Sequence, residues 1–179
     1  MKLKKTLLPA VLALLVLLSG CKQIDKLTVF NIDYNTQSVV SSVVGVNLPF
    51  NLITPAITTN ANTEFAINET RKDLIEEIQL TRLNLTIDAP ENGDLSFLKS
   101  INIYINGAGL EEKLVAWNDN IDTSGKSIVL TTTTDDLQQY IKLDSISLRV
   151  NTTVKKILLT DYTIGIHATF RVDARILGI

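Results

Sequence analysis

Few side chains in this sequence could carry out chemistry. Among 179 residues there is one His and one Cys. His167 follows Gly165 and precedes Thr169 in an alternating run, so it belongs to the polar side of a strand. A Ser/His/Asp hydrolase could use it as a base, but the chain has no G-x-S-x-G elbow to present a nucleophile. The pairs Glu76-Glu77, Glu111-Glu112 and Asp135-Asp136 are sequence neighbours, whose carboxylates diverge on a strand or a helix instead of meeting as a dyad. Asn118-Asp119-Asn120-Ile121-Asp122 is acidic enough for a calcium loop. The sixth and twelfth positions should then be Gly and Glu, and they are Thr123 and Val129. A single Cys excludes an intrachain disulfide and, with a single His, leaves a Cys/His zinc site short of ligands. No catalytic residue, metal or cofactor is expected, and the chain is read as a non-enzyme. The grouping that suits binding is Trp117 and Tyr104 with Arg149, Arg171 and Arg175, a polar-aromatic face if strands bring them together. Otherwise Trp117 packs in the core or at its edge.

Composition points the same way. With 45% hydrophobic and 20% charged residues the chain is globular, and its length suits one domain. A net charge of −2 excludes the basic surplus of a nucleic-acid binder.

The elements that position these residues are strands. From Tyr162 to Ile176, Ile164, Ile166, Ala168, Phe170, Val172, Ala174 and Ile176 alternate with Gly165, His167, Thr169, Arg171, Asp173 and Arg175. Period two over that length predicts a strand with one face on a core and one in water. Phe30–Tyr34, Leu83–Ile87, Ile101–Ile105, Ile128–Leu130 and Ile146–Val150 alternate in the same way. Pro90–Asp94 and Asn106–Gly109 carry turn chemistry, with Asn-Gly suited to positive φ. The expectation is an all-β, mainly antiparallel β-sandwich. One or two short helices are expected at Thr70–Ile78 and Thr134–Ile141, each capped by its Thr. A shift of 63 residues aligns Phe65-Ala66-Ile67 with Ile128-Val129-Leu130, Asp73-Leu74 with Asp136-Leu137, and Leu83, Leu85 and Ile87 with Ile146, Leu148 and Val150. That predicts an internal two-fold repeat of strand, short helix, strand.

Two segments depart from this pattern. Asn35 to Thr63 contains no charged residue. It reads as a buried strand (Val39–Val46) followed by a proline-punctuated edge, or as an apolar contact surface of Val46, Leu48, Phe50, Leu52 and Ile53. Such a surface would meet lipid, a hydrophobic ligand or a partner. The other segment is residues 1–20, with Lys2, Lys4 and Lys5, no acid, and the apolar run Leu7 to Leu18. A basic start, a run too short to span a bilayer and small residues at its end make a secretory signal peptide.

Leu18-Ser19-Gly20-Cys21 resembles the lipobox of bacterial lipoproteins. The resemblance implies cleavage before Cys21, a diacylglyceryl thioether on its sulfur, and acylation (a palmitate, for example) of the new amino group. Two or more acyl chains hold a protein on a membrane stably. Lys22 stands where an Asp would retain an enterobacterial lipoprotein in the inner membrane. The residues KQIDK also lack the acidic run of a surface-export signal in Bacteroidota. The implied location is the bacterial cell envelope, at the outer membrane facing the periplasm. Cleavage removes three of 17 basic side chains and none of 19 acids, taking the net charge from −2 to −5. Residues 21–26 then form a short lipidated tether, and 27–179 a single β-sandwich domain. The expected role is a non-catalytic binding or structural module held close to the membrane, with the membrane and an envelope protein as partners and no nucleic acid. The alternatives are a carrier or sensor of a hydrophobic ligand and an accessory subunit of an outer-membrane complex.

Overall fold

The computed structural model describes residues 29–42, 45, 47, 49–122 and 124–175. The expected signal peptide (1–20) with its lipobox-like residues, Cys21, the expected tether, Val46 and Leu48 lie outside them. Ten strands run β1 (Val29–Val40), β2 (Pro49–Ile53), β3 (Ile57–Thr58), β4 (Ile75–Ala89), β5 (Leu98–Gly107), β6 (Lys113–Asn118), β7 (Ser127–Val129), β8 (Thr131–Thr132), β9 (Ser145–Val154) and β10 (Tyr162–Ala174). Helix α1 (Ala61–Ile67) precedes β4, and α2 (Gln138–Ile141) precedes β9. The strands form two antiparallel sheets, as the alternation predicts. The first has the order β1-β10-β4-β7, and the second β2-β9-β5-β6-β8 with β3 also on β9.

The core lies between the sheets. Ile164, Ile166, Ala168, Phe170 and Val172 of β10 are buried with Leu83, Leu85 and Ile87 of β4, facing Ile101, Ile103 and Ile105 of β5 and Ile146, Leu148 and Val150 of β9. Each of the larger of these side chains contributes on the order of 1.5–3 kcal/mol by leaving water. The Tyr34 ring meets Phe170 edge-on at 5.7 Å, and its hydroxyl donates to the Thr59 carbonyl at 2.7 Å, tying β1 to the segment after β3. Burial first, and then the Glu64 charge, push this phenol well above its usual range. An enclosed apolar space lined by Tyr34, Ile57, Leu80, Val115, Leu148 and Phe170 measures about 10 Å³, room for one water at most.

Both expected helices are corrected by the structure. Within Thr70–Ile78 only Lys72–Leu74 turns, as a 3-10 helix, and Ile75 already begins β4. Apolar spacing misleads here because β4 carries three bulges, two of them in its first half. Ala174 pairs with Ile75 and Asp173 with Glu77, leaving Glu76 extra; Phe170 pairs with Leu80 and Thr169 with Arg82, leaving Thr81 extra. Each extra residue stretches the inward spacing from two to three (Ile75 to Ile78, Leu80 to Leu83), which imitates a helical period. Thr70 caps nothing; its hydroxyl donates to the Arg175 carbonyl at 2.6 Å. Thr134–Ile141 shrinks to the four residues of α2, entered not through Thr134 but beside Asp136, whose carboxylate accepts from the backbone N–H groups of Ile78 and Gln138, both at 3.0 Å. The Asn106–Gly109 turn exists, but its positive φ (76°) falls on Gly109, not on the Gly of Asn-Gly.

The repeat emerges in a different form. Phe65–Ile67 sit in α1 while Ile128 and Val129 sit in β7, so the first strand of the expected unit is not shared. The later strands do correspond. Leu85 pairs with Ile166 and Ile87 with Ile164; their counterparts Leu148 and Val150 pair with Ile105 and Ile103. Advancing every strand of β1-β10-β4-β7 by half of the ten-strand order gives β6-β5-β9-β2, the second sheet's path read backwards without β8; the short β3 and β8 both stay on the second sheet. The correspondence therefore exchanges the two sheets.

Candidate functional site

Outward-facing residues of the second sheet fall into rows set by strand register. One row crosses five strands: Asn51 pairs with Asn151, Asn151 with Asn102, Asn102 with Trp117, and Trp117 with Thr131. The neighbouring row holds Ile53, Arg149, Tyr104 and Leu114. The partners in each row share a face because paired residues in a sheet point the same way. A bulge at Val115 makes this possible on β6. Ile103 pairs with Ala116 and Tyr104 with Leu114, so Val115 is the extra residue, and both Leu114 and Trp117 stay on the outer side. Trp117, Tyr104 and Asn102 are half-buried, while Asn51 and Ile53 are exposed.

The centre of this face is held rigidly. Arg149 lies over the Tyr104 ring, 4.2 Å from its centroid. Its Nε donates to Glu112 Oε1 at 2.7 Å and a second nitrogen donates to Glu112 Oε2, a two-pronged contact. A third bond runs from Arg149 to Asn51 Oδ1 at 2.9 Å, and Asn151 Nδ2 donates to the same oxygen at 2.8 Å. Hydrogen bonding from Arg149 outweighs burial and holds the Glu112 carboxyl below its usual range; the same bond raises the guanidinium. Charge on this part of the face is thus internally cancelled.

Of the polar-aromatic grouping, the structure brings together Trp117, Tyr104 and Arg149. Arg171 and Arg175 belong to the end of the first sheet, where Arg171 meets Asp173 at 3.1 Å and Arg175 meets Glu76 at 2.9 Å. Of the apolar contact residues, Phe50 and Leu52 are half-buried and pack against the core, whereas Ile53 is 69% exposed on the edge strand β2. Sequence reasoning passed over Asn51, Asn102 and Asn151, and weighed Glu112 only as half of the pair Glu111-Glu112. The signal for Asn102 was present, as an outward Asn between Ile101 and Ile103, but only the register shows that three asparagines share one row.

The first sheet's outer face is built differently. His167 is exposed there, with Nδ1 2.7 Å from Asn35 Oδ1 and Nε2 3.2 Å from Thr86 Oγ1. The contacts match a nucleophile, base and orienting amide in outline, but not in chemistry. The Thr86 hydroxyl gives its proton to Asp88 Oδ1 at 2.9 Å, so His167 has no proton to take from it. Gln37 donates to the other Asp88 oxygen at 2.9 Å, Thr169 donates to Asp33 at 2.6 Å, and Ser127 donates to Asn84 at 2.9 Å. The Asp88 carboxylate lies over Gly165, where a Cβ would come within 2.7 Å of Oδ2 and 2.5 Å of Thr86 Oγ1.

No protein-family model matches the chain, and no curated protein is significantly similar to it. Solved structures resemble it distantly. A mutant of chitosan-binding module 1 from a chitosanase/glucanase of Paenibacillus sp. IK-5 is 11% identical, with a TM-score of 0.39 over 80% of this chain and 96% of that one. The cyanophage Pam1 capsid is 10% identical, with a TM-score of 0.35 over 80% and 86%. The C-terminal domain of a chitobiase from Bacteroides fragilis is 10% identical, with a TM-score of 0.31 over 73% and 66%. None of the three assigns a ligand to this chain.

Proposed function

We propose that the chain is a non-catalytic binding module, lipidated at Cys21 and tethered to the periplasmic face of a bacterial outer membrane. The observation that carries the binding role is the outer face of the second sheet, where Arg149, Tyr104, Glu112 and Asn51 hold one another in place beside a row of amides and an indole. Pre-organised polar and aromatic groups of this kind bind with little loss of conformational freedom. The anchor rests on the lipobox-like Leu18-Ser19-Gly20-Cys21. The expected tether, residues 21–26, would reach about 20 Å when fully extended. A carrier of hydrophobic ligands is the weaker reading, because the enclosed space between the sheets described above has no room for an acyl chain.

Labelled palmitate should enter the wild-type chain in a bacterial host, and Cys21→Ala should abolish incorporation and release the protein from membranes. Label that persists in Cys21→Ala would overturn the anchor.

A further inference from the structure

We infer that the second sheet's outer face binds an extended, neutral polysaccharide, with Trp117 as the stacking platform and Asn51, Asn102 and Asn151 as its hydrogen-bonding groups. The inference rests on the binding-module reading and names the ligand class. Three properties of the face select it.

The first is charge. Arg149 is cancelled by Glu112, so the centre of the face attracts neither phosphate-rich nor acidic polymers. The second is the distribution of polar and apolar groups. A protein-binding patch has a desolvated apolar centre within a polar rim. Here the order is reversed, because amides run through the middle row while Ile53 and Leu114 stand at the ends of the next row. The amides also keep open valences. Asn51 spends only its oxygen, on Arg149 and Asn151, which leaves its NH₂ donors outward, and the Asn102 side chain engages no protein partner among the described residues. An amide presents both donors and an acceptor, as a sugar hydroxyl does, so neighbouring hydroxyls can satisfy both ends.

The third property is shape. From Asn51 to Thr131 the row crosses four strand spacings, on the order of 19 Å, along an open sheet surface. A β-1,4-linked chain of pyranose rings is a ribbon with polar edges and flat C–H faces. Such a ribbon can lay its edge hydroxyls along the amides and a ring face on the indole. Trp117 is the sole tryptophan of the protein, so its fluorescence reports this face without interference.

The test is titration of the mature lipidated chain in neutral detergent with cellohexaose, xylohexaose and the hexamer of N-acetylglucosamine, followed by tryptophan fluorescence and calorimetry. At least one should give a saturable fluorescence change with matching heat. Asn102→Ala should weaken that affinity about five- to tenfold, the loss of one or two hydrogen bonds. Trp117→Ala should remove the heat while leaving the thermal transition in place. No response to any of the three glycans, or binding that both variants retain, would overturn the inference. A protein partner lost by Trp117→Ala with no glycan response would overturn it too, but would leave the binding-module reading standing.

Discussion

The two outer faces arise from one sequence pattern and reach opposite ends. Both are the polar half of alternating strands, and both carry Asn, Thr and charged residues. On the first sheet the side chains satisfy each other: Asn35 with His167, Thr86 and Gln37 with Asp88, Thr169 with Asp33. On the second, one cluster around Arg149 is closed and the adjoining asparagine row is open. A polar face whose groups are paired internally offers little to a ligand, since each new bond must break an old one. A polar face with a rigid core and free amides offers bonds at small cost. Alternation alone does not separate these cases; hydrogen-bond partners do.

This contrast can be broken experimentally. The largest effect on stability is expected from Gly165→Ala, which drives the Asp88 carboxylate off the first face and breaks its contacts with Thr86 and Gln37. Chemical denaturation should show a loss of about 1–2 kcal/mol, with the response to glycans unchanged. A smaller effect, about 0.5–1 kcal/mol at neutral pH, is expected from Arg149→Ala, because the ion pair with Glu112 is partly solvated, at 24% and 33% exposure. Its pH dependence has a definite sign. The Glu112 carboxyl is held below its usual value in the folded state by Arg149. The pair's contribution is therefore complete above the unfolded value, about 4.3, and fades as pH falls through the lower folded value. Denaturation curves of wild type and Arg149→Ala should converge in that acid range; a constant gap would show that the charge pairing contributes nothing. The smallest change in stability, within about 0.5 kcal/mol, is expected from Asn102→Ala. That variant should lose ligand without losing fold, the converse of Gly165→Ala.

Much of the fold was legible because burial on one side of a strand imposes period two, and β10 follows that period from Ile164 to Ala174 with His167 on the wet side. The parts that were not legible share a cause, which is local irregularity. Bulges in β4 turned strand spacing into apparent helix spacing, and α1, the longest helix among the described residues, straddles Ala61–Thr63, read as part of an edge, and Phe65–Ile67, read as a strand. Its signal was the i, i+4 pair Ala61 and Phe65, both buried. Of the site, the residue types Trp117, Tyr104 and Arg149 were visible in sequence. Their company was not, since pairing across β2, β9, β5 and β6 depends on long-range register.

The strand correspondence that exchanges the sheets has a consequence for how the molecule comes apart. The strands up to β5 form one half and those from β6 onward the other, and each half supplies strands to both layers: β4 lies against β10, and β5 against β9. Neither half holds a layer of its own, so they are woven rather than stacked. A break in the exposed turn at Ala108 and Gly109 would sever the polypeptide without freeing either piece, because separation must strip two sheets at once. Such weaving ties local damage to whole-molecule cooperativity.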